Sequence, residues 1–219
     1  MVRLIIFDLD GTLIDTRKDI ADACNYALNK CGYPSRKLEE YNMLVGRGID
    51  NLFRSALPEG SADENAVRKM REYFVPYYNE HKCDFTRPYE GIIEMLEDLS
   101  QKGIRFAVAS NKYQEGTEQL VEKFFGRYDF VKILGQREGK PIKPDPLIVA
   151  EAMEGIPGAT ADEVVYCGDS DVDMQTGMNA GVKTIGVTWG FRTREELAAY
   201  SPFALVEKPQ DIIDTIYGN

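Results

Sequence analysis

Five short runs of β-branched and aliphatic residues punctuate this chain: "RLIIFD" at 3–8, "RFAVAS" at 105–110, "FVKIL" at 130–134, "VVYCG" at 164–168 and "KTIGVT" at 183–188. Between the later ones lie amphipathic helical stretches such as "GIIEMLEDLSQKG", "EGTEQLVEKFF" and "DPLIVAEAMEG". Strands alternating with helices of about 10 to 15 residues imply an α/β fold with a doubly wound parallel, Rossmann-like sheet. The first run is set apart from the rest by a block of different texture. From Thr16 to about Phe85 the pattern is helical throughout: Ile20, Cys24, Ala27, Leu28 and Cys31 share one face, with Thr16 placed as an N-cap and Gly32 and Pro34 as stop signals. "GIDNLFRSAL" repeats the texture, and a charged stretch from Ala62 to His81 follows, which Pro76 is expected to kink or break. No internal repeat or low-complexity linker interrupts the chain. The reading is therefore an α/β core of residues 1–15 and 86–219, with a helical domain, 16–85, inserted after the first strand.

Composition limits what such a fold can bind. The 219 residues are 43% apolar and 28% charged, as in a folded protein with a sizeable core. A formal charge of -10 argues against nucleic acid and anionic membranes as partners, because both require basic surface to displace counterions. No apolar run approaches the roughly 18 residues that a membrane span needs, and "MVRLIIFDLD" has no cleavage site, so a cytoplasmic location is expected. Cys24, Cys31, Cys83 and Cys167 form no CxxC pair and read as reduced structural residues. An anionic ligand would have to be recruited by local cations.

In open parallel sheets, ligands bind at the carboxyl ends of the strands. Acids collect there in this sequence. "FDLDGT" closes the first run with Asp8 and Asp10, which alternation along a strand turns to one side, and Gly11 permits a sharp turn after them. "VASNK" closes the second with Ser110 and Asn111, "CGDSDVD" closes the fourth with Asp169 and Asp173, and "KPIKPDP" sets Lys143 in a proline-stiffened turn. Carboxylates so crowded repel unless a cation sits among them, and a hard-oxygen set of this kind suits Mg²⁺. Such a cation would also allow one carboxylate to attack a phosphoryl group while a second handles the leaving group's proton.

"FDLDGTLIDT", "VASN", "KPDP" and "GDSDVDM", in this order, resemble the four motifs of the haloacid dehalogenase superfamily of phosphatases. "VGRGI" and "TRPYEGIIEMLEDL" look most like its phosphoglycolate phosphatase branch. The resemblance implies a Mg²⁺-dependent phosphomonoester hydrolase acting on a small phosphorylated metabolite through an aspartyl-phosphate. By the same resemblance Asp8 is the nucleophile and Asp10 the general acid/base. Ser110, Asn111 and Lys143 bind the phosphoryl group. Asp8, Asp169, Asp173 and the backbone carbonyl of Asp10 surround the metal. Lys143 is preferred to Lys140 because Lys143-Pro144-Asp145-Pro146 keeps the Lys-Pro-x-Pro register.

Rival readings fare worse. "GRGIDN" lacks the third glycine of a dinucleotide fingerprint, no cysteine opens the Cys-x5-Arg motif of a thiol phosphatase, and there is no Gly-x4-Gly-Lys loop. A receiver-like phospho-aspartate module would not need Asp10 or the insertion, whereas a phosphosugar mutase would share both. Asp171 reads as a solvated helix-start acid and Ser110 as a helix cap as well as a phosphate ligand. Arg47, between two glycines ahead of an amphipathic helix, is placed at the tip of a lid and is expected to reach the substrate's carboxylate.

Overall fold

The computed structural model describes residues 1–218. In chain order, β1 (Leu4–Phe7) and the short β2 (Ile14–Asp15) precede α1 (Arg17–Lys30), α2 (Tyr41–Leu44), α3 (Ile49–Ala56) and α4 (Glu64–His81). After β3 (Arg87–Pro88) the chain alternates α5 (Ile92–Gln101), β4 (Arg105–Tyr113), α6 (Gln114–Phe125), β5 (Phe130–Gln136) and α7 (Leu147–Met153). It ends with β6 (Val164–Gly168), α8 (Asp171–Asn179), β7 (Lys183–Val187), α9 (Arg194–Ala198), β8 (Ala204–Val206) and α10 (Pro209–Tyr217).

Six of the strands form one sheet in the order β5-β4-β1-β6-β7-β8, and every neighbouring pair is parallel. From β1 the chain winds outward to β5, then returns to lay β6 on the other side of β1. This is a doubly wound sheet whose winding reverses beside β1, the place where such sheets hold ligands. Side-chain alternation assigns the two faces. Ile5 and Phe7 enter one core cluster with Met95, Leu96 and Leu120, while Leu4 and Ile6 enter another with Ile148, Val149 and Tyr166. Burial on both sides explains why β1 is apolar at every position. The sequence runs locate the five longer strands. The three-residue β8 gave no comparable signal, and β4 extends three residues beyond its run, through Asn111, Lys112 and Tyr113.

The helical insertion has its own core, in which Ile20, Cys24, Leu28, Phe53, Met70 and Phe74 pack together. Phe191, from the segment after β7, joins that cluster and seats the insertion on the sheet. Helix α4 continues through Pro76 to His81, so the proline does not break it. Phe74 and Tyr78, stacked at 5.3 Å, anchor α4 on either side of the proline, and this packing offsets the missing N–H. Thr16 is the N-cap of α1 by position, but its side chain makes no capping bond. All four cysteines are free, and no described helix is long and apolar enough to cross a membrane.

The two crossings between the sheet and the insertion lie side by side. β2 pairs with β3 in antiparallel fashion, Ile14 opposite Pro88 and Asp15 opposite Arg87. Asp19, buried in the first turn of α1, accepts hydrogen bonds from the N–H groups of Phe85 and Thr86 and from the Thr86 hydroxyl, the last at 2.7 Å. One carboxylate thus ties the start of the insertion to its end. Asp19→Ala should remove about 2–4 kcal/mol of stability, because it strands buried donors as well as deleting charged hydrogen bonds. Urea unfolding would show this as a lower midpoint with an unchanged slope.

Candidate active site

The floor of the site is a buried lysine among acids. Asp8 follows β1, and its N–H still donates to Cys167 at 2.9 Å, so the carboxylate is fixed at the sheet's edge. Lys143 Nζ lies 2.8 Å from Asp8 Oδ1, 2.7 Å from Asp173 Oδ1, 2.9 Å from the Ala109 carbonyl and 3.0 Å from the Tyr166 hydroxyl. Burial alone would lower the pKa of this ammonium, but the carboxylates of Asp173 and Asp8 hold it well above its usual value. Lys140 lies elsewhere, paired with Glu151 at 3.1 Å, so of the two candidates only Lys143 stands at the strand ends.

Asp169 and Asp173 flank the N-terminus of α8. Ser170 caps that helix, and Asp173 Oδ2 accepts from both the N–H and the hydroxyl of Ser170. Asp173 is therefore saturated with donors. Asp169 accepts from Thr12 Oγ1 at 3.0 Å and from the N–H of Phe191 at 2.8 Å. A Cβ at Gly11 or Gly190 would stand 2.3 Å from this side chain, so both glycines are required for its approach, and Gly11 also has φ +89°. Burial, and then the neighbouring Asp173 and Asp8, push the Asp169 carboxyl well above the ordinary range. Burial does the same to Asp8, pushed up to about 7 against the pull of Lys143.

Three buried carboxylates facing one ammonium leave an excess of negative charge. Asp8, Asp169 and Asp173 each offer an oxygen within 4.8 Å of the others. Burial, and then repulsion from neighbouring carboxylates, raises the pKa values of Asp8 and Asp169, and an all-oxygen donor set fits a hard divalent cation.

Above the floor is a cavity of about 530 Å³, its mouth included, which Asp8, Asp10 and Ser110 share with insertion residues such as Ile20, Leu52 and Phe74. Asp10 Oδ1 accepts from Thr16 Oγ1 at 2.8 Å, and Oδ2 lies 3.0 Å from Lys112 Nζ. Ser110 is not a helix cap, since β4 runs past it; its Oγ accepts from the Lys112 N–H, and its own proton has no acceptor among the described residues. Asn111 has its amide engaged, donating to Gly46 O and Lys143 O while accepting from the Lys143 N–H, so its side chain binds two segments together and is not free for a phosphate.

Arg47 departs from expectation. Its guanidinium pairs with Asp171 across the seam between insertion and sheet, and it does not line the cavity. Asp171 is correspondingly not a solvated acid: Arg192 Nε also stands 3.4 Å from its Oδ1, an ion pair without hydrogen-bond geometry. Arg192, only 4% exposed, donates to the carbonyls of Asn42 and Val45. Residues to which sequence reasoning gave no part in the site are Thr12, Thr16, Tyr78, Lys112, Tyr166 and Arg192. Lys112 adjoins Asn111 in "VASNK" and Thr12 adjoins Gly11, so proximity to motifs was a usable signal for these two. Nothing local distinguishes Tyr78, Tyr166 or Arg192 from ordinary packing residues.

The profile of haloacid dehalogenase-like hydrolases matches residues 5–187. A phosphoglycolate phosphatase of Vibrio parahaemolyticus is 31% identical over 98% of this chain and 96% of its own, and one of Aquifex aeolicus is 32% identical over 97% and 95%. A crystal structure of a Lactobacillus delbrueckii subsp. bulgaricus protein, assigned provisionally as a phosphoglycolate phosphatase, superposes with a TM-score of 0.89 at 32% identity, covering 98% of each chain. The chain belongs to the haloacid dehalogenase-like hydrolase family. Within that family it is a phosphatase.

Protons and any divalent cation held by this cluster would compete for the same oxygens. Because folding raises the pKa of Asp8 from 3.8 to about 7 and that of Asp169 in the same direction, the folded cluster retains protons that the unfolded chain releases. The resulting stability is fully present below about pH 4 and is lost as pH rises through about 7. With chelator present, Tm should therefore fall across that interval, and the gain in Tm on adding Mg²⁺ should be larger at pH 8 than at pH 5. Thermal unfolding at the two pH values checks the order, and a larger gain at pH 5 would contradict this account of the site.

Proposed function

We propose that the protein hydrolyses a small phosphomonoester, 2-phosphoglycolate in the first instance, through a phosphoryl group carried on Asp8. The observation that supports this best is the placement of two carboxylates with different partners on one cavity: Asp8 on the ammonium of Lys143, Asp10 between Thr16 and Lys112. Asp8 forms a bond to phosphorus as the bond from phosphorus to the ester oxygen breaks, and Asp10, as general acid, gives a proton to the departing oxygen. Water then attacks the same phosphorus, Asp10 recovers a proton from it, and the bond to Asp8 breaks to release phosphate. Lys143 orients Asp8 and offsets charge on the phosphoryl oxygens, and the Ser110 hydroxyl is free to donate to one of them.

Asp8, Asp169 and the Asp10 carbonyl would hold Mg²⁺, with Asp173 orienting from behind because its oxygens are already engaged by Lys143, Tyr166 and Ser170. When bound, the cation supplies charge neutralisation that lets two anions meet. The helices of residues 16–85 serve as a cap that excludes bulk water from the reacting groups. The choice of 2-phosphoglycolate is supported by the similarity to the Vibrio and Aquifex phosphoglycolate phosphatases.

Asp8→Asn should abolish phosphate release and covalent labelling. Asp10→Asn should slow turnover, most strongly for esters whose leaving group needs a proton. Phosphate release from 2-phosphoglycolate and from an activated aryl phosphate separates the two, and ordinary turnover by Asp8→Asn would refute the mechanism. Chelation should silence the enzyme and Mg²⁺ restore it.

A further inference from the structure

Lys112 is the one basic side chain among the cavity's described walls. Its side chain is only 6% exposed, and its ammonium is held from two directions: 3.0 Å from Asp10 Oδ2, and 2.9 Å from the Tyr78 hydroxyl with the Tyr78 ring centroid 4.8 Å away. Burial keeps that phenol protonated, so it takes no share of the charge. An ammonium has three N–H groups; the Tyr78 hydroxyl takes one, and the contact with Asp10 is an ion pair without hydrogen-bond geometry. The ammonium has no other acceptor among the described residues, and the residue borders the cavity. Apart from Tyr78, whose hydroxyl is engaged by Lys112, the side chains on the insertion side, Ile20, Leu52 and Phe74 among them, are apolar and offer no hydrogen bond to a polyhydroxylated group. Arg47, the other cation near the mouth, is engaged by Asp171.

From these positions we infer that Lys112 is the specificity-determining residue of the leaving-group chamber, and that it selects short phosphomonoesters carrying a carboxylate on the carbon next to the ester oxygen. This rests on the phosphatase reading above and assigns the carboxylate a partner other than Arg47. The chemistry fixes the distance: the group that protonates the ester oxygen is Asp10, and in a 2-phosphooxy carboxylate the acid group is two bonds from that oxygen. A cation in contact with Asp10 is therefore in contact range of the acid. Apolar walls beyond it admit a short carbon chain and penalise a phosphosugar, whose hydroxyls would lose water without finding partners.

The test is binding, so that it does not depend on turnover. 3-Phosphonopropionate carries the carboxylate and propylphosphonate lacks it, and neither has a bond the enzyme can cleave. In calorimetric titrations with Mg²⁺ present, the wild-type protein should prefer the carboxylate ligand by about tenfold to a hundredfold, the range of a charge-assisted hydrogen bond. Lys112→Met should erase that preference. Arg47→Ala and Lys140→Ala, each of which also removes one positive charge, should retain it. Should the methionine variant not fold, Lys112→Gln keeps donors to Asp10 and Tyr78 without the charge and should erase the preference as well. A preference intact in the Lys112 variants, or lost in Arg47→Ala, overturns the assignment. The phosphatase reading stands or falls separately, on phosphate release by the wild-type and Asp8→Asn proteins.

Discussion

Lys143 and the acids around it form the contact on which the rest of the structure depends. An ammonium this deeply buried is tolerated only where its attraction to carboxylates exceeds the several kcal/mol lost on leaving water. The parallel sheet meets that condition by converging strand ends. Asp8 arrives from β1, the Ala109 carbonyl from β4, Tyr166 from β6 and Asp173 from the first turn of α8. No one of these segments could hold the lysine alone. Because each is also part of the hydrogen-bonded sheet or of a capped helix, the charge cluster and the fold specify each other.

Two shells of charge with different purposes are stacked above one another. In the lower one carboxylates outnumber cations, which suits a site completed by a divalent ion. In the upper one Asp10 is matched by Lys112 and by the Thr16 hydroxyl, and the lining becomes apolar toward the insertion. Charge thus decreases from floor to roof. This gradient suits a ligand with its phosphoryl end down and a smaller organic end up. The seam is closed by polar contacts of a third kind, in which Arg192 and Asn111 hold the carbonyls of Asn42, Val45 and Gly46.

Much of this was legible in the sequence because it is local. Period and length locate the five main strands, and the acids at their ends follow from where a strand stops. The lysine was legible through the resemblance, whose Lys-Pro-x-Pro register favours Lys143 over Lys140. What the sequence could not supply was partnership at long range. Asp171 reads as a helix-start acid, and nothing within its own turn says that Arg47, 124 residues away, will pair with it. Arg47 carries the signature of a mobile recognition residue, glycines on both sides, yet the same freedom lets it fold back to the seam. Pro76 shows the opposite failure, in which a strong local rule yields to the aromatic packing of Phe74 and Tyr78. β8 was missed because three residues carry too little period to be recognised.

The paired crossings at β2 and β3 have a consequence beyond anchoring. Since the chain leaves and re-enters the sheet at adjacent points, the insertion is, for the sheet, a closed excursion whose length matters little. Loop-closure entropy grows only as the logarithm of length, about 0.6 kcal/mol per doubling. The segment between the two strands could shrink, grow or be exchanged for another fold with almost no change in the register below it. A chemical step and the surface that chooses its substrate can then evolve at different rates within one polypeptide, the first held by sheet geometry and the second free to be rewritten.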